Sequence, residues 1–130
     1  MKNSAAITSY AKVEFESEAM GASPHRLISM LIDGALKQIA IAKKGIQNNQ
    51  IPVKGDAIVR AISIIGDGLN GSLNMEAGGD LAIKLRLLYE YMIVRLGWAN
   101  LDNDTKPLDE VARLLGEIKE GWDGIRPAGG

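Results

Sequence analysis

Apolar residues in this chain recur every three or four positions over most of its length, the spacing of one face of an α-helix. Ile28, Leu31, Ala35, Ile39, Ala42 and Ile46 form a first stripe. Ser23-Pro24 introduces it, a capping hydroxyl followed by a proline suited to the first helical turn. Gln47-Asn48-Asn49 and Pro52 close it. A second stripe, Ile58, Ile62, Ile65, Leu69 and Leu73, ends before Gly78-Gly79, and Asp80 then stands as a cap for a third helix. Beyond the break Asp102-Asn103-Asp104-Thr105, Pro107 falls in the first turn of a fourth helix. There Leu108, Val111, Leu115, Ile118, Trp122 and Ile125 keep the strict three-four spacing of a bundle core. Short connections make sequential helices antiparallel. The pattern therefore predicts an all-α fold, an antiparallel up-down four-helix bundle over residues 21–126. A leader with a short helical segment (1–20) precedes it and a flexible tail (127–130) follows.

The third helix carries more grease than one buried face needs. Leu81, Leu85, Leu88, Met92, Leu96 and Ala99 make one stripe, and Ile83, Leu87, Tyr91, Val94, Trp98 and Leu101 make another. The second is offset by two residues, about 200° around the helix. A helix with two such faces is either enclosed on all sides or presents a groove to a partner. A chain of 130 residues leaves little protein to enclose it. Leu87, Tyr91, Val94 and Trp98 are accordingly candidate partner-binding residues, with Leu27 and Met30 of the first helix beside them.

Composition narrows the chemistry. The chain has the length of one domain and a formal net charge of −1 without a long charge run, which argues against nucleic acid. It has no cysteine and hence no thiolate chemistry. No apolar run approaches the roughly 20 residues that span a bilayer, and the leader lacks the basic-then-apolar layout of a signal peptide. A cytoplasmic protein without membrane insertion is expected.

Gly66-Asp67-Gly68-Leu69-Asn70-Gly71 has the glycine spacing of a dinucleotide-binding turn. That turn works only between a strand and a helix, and here it follows helical spacing. Close helix packing explains the glycines better, and the region is a candidate bend. A di-iron bundle needs two Glu-x-x-His pairs, and the only histidine, His25, has no glutamate three positions before it. His25 reads as a surface or capping residue. Asp102 and Asp104 fall in a turn, where aspartate is favoured for local hydrogen bonding. Neither an enzyme nor a cofactor is expected. Met20, Met30, Met75 and Met92 suit irregular apolar space.

Two blocks of sequence carry a resemblance. One is Ala22-Ser23-Pro24-His25-Arg26-Leu27-Ile28-Ser29-Met30-Leu31-Ile32-Asp33-Gly34-Ala35-Leu36. The other is Leu73-Asn74-Met75-Glu76-Ala77-Gly78-Gly79, with Leu88-Tyr89-Glu90-Tyr91-Met92 and Ala99-Asn100 downstream. Together they resemble the flagellar secretion chaperones of the FliS family, from about Ile7 to Ile125. Ile32 stands where that family usually has an aromatic residue and Asn74 where it has aspartate. Gly97 and Gly121 replace bulkier or more helix-favouring residues. The resemblance implies a monomeric export chaperone that binds the C-terminal segment of flagellin along apolar grooves. It also implies docking to the flagellar export gate protein through a leader segment containing Ile7 and Tyr10. The alternative is a structural four-helix protein whose second stripe forms a homodimer seam.

Overall fold

Ser23 starts the first helix as the sequence suggests. In the computed structural model, which describes residues 21–125, its hydroxyl accepts from the backbone N–H of Arg26 at 3.1 Å, and Pro24 opens α1 (Pro24–Gln47). Asn49, in the left-handed region at φ 55°, turns the chain, and α2 begins almost at once (Ile51–Ser63). Pro52 is thus not the terminator of α1. It lies in the first turn of α2, where its missing N–H costs nothing. The two helices cross closely at Gly45: a Cβ there would sit 2.8 Å from the backbone nitrogen of Lys54.

The glycine-rich stretch is helical but irregular. α2 runs on as a π turn (Ile64–Leu69) and then a 3-10 turn (Asn70–Ser72). Its glycines mark close approaches. A Cβ on Gly66 would meet Ile93 at 3.3 Å, and one on Gly68 would meet Leu31 at 2.9 Å. No strand exists among the described residues, so the dinucleotide reading has no structural context.

Asn74, rather than Asp80, caps α3 (Met75–Asp102), its Oδ1 accepting from Ala77 N–H at 3.0 Å. The first turn is set off from the rest by Gly79, whose φ of 54° and ψ of −132° are non-helical and ill-suited to a side chain. α3 ends at Asn103, which is left-handed (φ 51°) and also accepts from the ammonium of Lys54. The same Nζ donates to the Asn100 carbonyl at 2.9 Å. Buried Lys54 therefore ties the start of α2 to the negative end of the α3 dipole. α4 (Lys106–Asp123) closes the bundle, with Pro107 in its first turn.

α1 packs on α2 and α4, and α3 packs on the same two, so α1 and α3 face each other across the diagonal of a four-helix arrangement. Ile32, Ala35, Ile58, Ile65, Met92, Leu96, Leu108 and Leu115 fill its axis. Ion pairs from Lys43 to Asp109 (2.8 Å) and from Lys119 to Asp33 (2.6 Å) lace α1 to α4 along the surface.

Candidate functional site

α3 does have two apolar faces, and only one is buried. At about 100° per residue, Ile83, Leu87, Tyr91, Val94, Trp98 and Leu101 share an arc of roughly 80°. All are exposed, from 41% to 74%. Their arc points away from the one holding buried Ala82, Tyr89, Met92, Leu96 and Ala99. From Ile83 to Leu101 the stripe runs about 27 Å. The candidates Leu87, Tyr91, Val94 and Trp98 therefore lie on one open surface.

The candidates on α1 do not join them. Met30 is 7% exposed and packs inside the bundle, so it offers almost nothing to a partner. Leu27 is partly exposed but belongs to the helix diagonally opposite. The sequence pairs the two helices because both carry apolar residues. It does not say which helices are neighbours. Ile7 and Tyr10 lie outside the described residues.

A second apolar feature escapes the stripe reading. At the end of the bundle where α1 and α3 begin and α4 ends, Ile28, Leu69, Leu73, Leu81, Leu85, Ala82, Tyr89, Ile118 and Trp122 line a cleft of about 220 Å³. Leu81 shows how it arises. It lies on the buried arc of α3, yet it is 65% exposed, since none of the described helices covers it at this end. Burial and apolar neighbours raise the Tyr89 phenol above its ordinary value. Ile32, by contrast, is fully buried in the bundle axis.

His25 belongs to the rim of this cleft. Its ring stacks on Trp122 with centroids 4.8 Å apart and planes 11° from parallel. Its Nε2 donates to the Trp122 carbonyl at 2.8 Å, and the indole N–H returns a 2.9 Å bond to the His25 carbonyl. Ser29 donates its single hydroxyl proton to Asp123 at 3.1 Å. Ser29, His25 and Asp123 are thus close without being a catalytic relay. The imidazole nitrogen that a relay needs as a base already donates to a carbonyl. No group of acidic, histidine or cysteine residues that could hold a metal occurs among the described residues.

The polar edge of the stripe is ordered. Glu110 of α4 accepts from the Tyr91 hydroxyl at 2.9 Å through one oxygen and from Arg95 Nε at 2.7 Å through the other. These bonds hold the Glu110 carboxyl below its ordinary pKa, Arg95 contributing most, and raise the Tyr91 phenol above its own. Among the described residues the site shows no assembled relay and no metal-ligand cluster. It has an apolar strip with a fixed polar border and an apolar cleft at one end.

Comparison with known proteins gives this surface its setting. The family model described as "Flagellar protein FliS" matches residues 6–129. The chain is 51% identical over 120 residues to the flagellar secretion chaperone FliSB of Pseudomonas aeruginosa, covering 92% of this chain and 94% of that one. It is 44% identical over 127 residues to the flagellar secretion chaperone FliS of Salmonella typhimurium, covering 98% and 94%. With the protein of the same name from Bacillus subtilis it shares 35% over 101 residues, covering 78% and 74%.

Proposed function

The chain belongs to the FliS family of flagellar proteins, and from that premise we propose that it binds the C-terminal segment of flagellin in the cytoplasm, keeps it unpolymerised and delivers it to the type III export gate. Its relatives are named as flagellar secretion chaperones, so a chaperone role in flagellar export is supported at the family level, and the family is not one of enzymes. The observation that carries the finer reading is the exposed stripe of α3, about 27 Å of continuous helix surface. An amphipathic client helix of about 18 residues would match that length. Recognition by apolar contact needs neither nucleotide nor metal. Each 1,000 Å² of apolar surface removed from water would contribute up to about 25 kcal/mol gross. Ordering a disordered client opposes most of this, so only a surplus appears as affinity. No described helix is long and apolar enough to cross a membrane.

Ile7 and Tyr10 are proposed to dock the loaded chaperone to the export gate. Removing residues 1–15 should leave flagellin binding at least equal while gate-dependent secretion falls. Strong loss of flagellin binding with intact gate docking reverses that assignment.

Calorimetry against full-length and C-terminally truncated flagellin tests the main proposal. Heat with the first and none with the second supports it, and equal binding to both overturns it. The stripe also has the form of a seam for a second copy of the chain, and light scattering separates the two. A monomer leaves the stripe for the client, whereas a stable dimer that Val94→Asp dissociates assigns it to self-association.

A further inference from the structure

Of the exposed residues on the α3 stripe, Tyr91 carries a hydroxyl, and that group is held. At about 100° per residue it stands on the side of the stripe toward Arg95, next to α4. Its hydroxyl donates to Glu110 Oε2 at 2.9 Å, and Arg95 Nε fixes Oε1 of the same carboxylate at 2.7 Å. The carboxylate is thus gripped by two donors from α3 while attached to α4. A phenol free at an exposed helical site would visit several rotamers. Here its tip is anchored while 44% of the residue remains open to solvent.

We propose that Glu110 is a positioning residue for docking: by anchoring the Tyr91 hydroxyl it presets the ring on the border of the apolar stripe, where an amphipathic client helix packs against it. The inference rests on the reading that the stripe takes such a helix. It identifies a polar residue on a different helix as a determinant of that binding. The physical basis is preorganisation. Binding need not order a side chain that is already ordered. Arg95 serves the same purpose indirectly, by stopping the carboxylate from rotating away.

The test uses the full chain and the C-terminal segment of flagellin. Calorimetry compares wild type with Glu110→Ala, Glu110→Gln, Tyr91→Phe and the double variant Tyr91→Phe/Glu110→Ala, with melting curves for each. Glu110→Ala and Tyr91→Phe should each weaken binding about three- to tenfold, the value of ordering one side chain. The double variant should be no weaker than either single, because both remove one device. Glu110→Gln has a single acceptor oxygen and can keep only one of the two bonds, so it should fall between wild type and Glu110→Ala. Melting should change little, since exposed ion pairs contribute little to stability.

A second readout needs no client. Glu110 raises the Tyr91 phenol, while Arg95 and Arg113 pull it down. In an ultraviolet titration, Tyr91 should ionise at lower pH in Glu110→Ala than in wild type, its transition being identified by its loss in Tyr91→Phe. Binding by Glu110→Ala within twofold of wild type, independent effects in the double variant, or an unmoved phenol titration overturns the inference. A wild-type chain that ignores the flagellin segment overturns the docking reading itself, and the inference with it.

Discussion

A charge placed on the outer stripe of α3 should abolish partner binding and leave the bundle standing. Val94 is 57% exposed, so Val94→Asp keeps its carboxylate in water and forfeits only the covered part of the valine. Full burial of such a side chain is worth about 1.5–3 kcal/mol, so the fold should lose about 1 kcal/mol. For a domain of this size that lowers Tm by about 3–5 °C. Leu96, two positions on and fully buried, is the control. Leu96→Ala should cost about 2–5 kcal/mol through lost contacts and a residual cavity.

Binding should rank the two the other way. A client helix that covers Val94 would desolvate the new carboxylate without a partner, a penalty of several kcal/mol. Even 2 kcal/mol weakens binding about 30-fold. Trp98→Ala gives an independent estimate. With 50% of the residue exposed, a client could cover about 75–125 Å² of it, or about 2–3 kcal/mol. Circular dichroism melts and calorimetry against the flagellin C-terminal segment measure both quantities. The reasoning is refuted if Val94→Asp melts as low as Leu96→Ala, or if it binds the segment as well as wild type does.

Further predictions concern the scaffold. Gly97 lies in α3 with open space where a Cβ would go, so Gly97→Ala should add about 0.5–1 kcal/mol, read as a rise in the urea midpoint. Gly45→Ala should instead destabilise by about 1–3 kcal/mol or more, because the added carbon meets the backbone of Lys54 at 2.8 Å and cannot push it aside cheaply. Lys54→Met should lower stability by about 1–3 kcal/mol, since the Asn100 carbonyl and the Asn103 side chain lose their donor; hydrogen exchange should quicken at the end of α3. The folded-state pKa of Glu110 is depressed, so its contribution is present above the ordinary carboxylate value and lost as pH falls through the folded one. The Tm gap between wild type and Glu110→Gln should therefore be small at neutral pH and close as pH drops below about 4.3.

What the sequence reveals is periodicity, and what it hides is neighbourhood. The four stripes locate the helices, and Ser23-Pro24 marks the start of α1 to the residue. The outer face of α3 is legible for the same reason, because two apolar arcs on one helix cannot both meet the same neighbours. Met30 is misplaced for the opposite reason: spacing says that it is apolar and near the start of α1, not that α1 lies across the diagonal from α3. The end cleft is missed because stripe counting treats Leu81 as core, whereas a helix end is buried only if another helix reaches that far. Lys54 reads as a surface residue by type. Only the crossing at Gly45 and the carbonyl end of α3 make a burial site for its stem and a partner for its head. The glycine cluster signals a departure from ideal helix, but whether it yields a bend, a break or a π turn depends on Leu31 and Ile93 packed against it.

One face of α3 is buried and the other exposed, and under the proposed function the first serves folding and the second binding. The inner arc contributes Met92, Leu96 and Ala99 to the bundle axis, so the fold is secured without the outer stripe. Among the described residues the outer side chains are about half exposed, so they are less constrained by packing than the inner arc. An exposed strip of this length invites self-association, and its borders oppose that. Lys84, Arg86 and Glu90 are exposed along it, and the Tyr91–Glu110–Arg95 cluster closes the side toward α4. Two copies meeting along the stripe would desolvate those charges or oppose like with like, whereas a client with polar residues at matching borders would not. A bundle stable without its partner can also give the client up without unfolding. If the stripe takes the client as proposed, capture and release would depend on competition for that surface rather than on unfolding of the bundle.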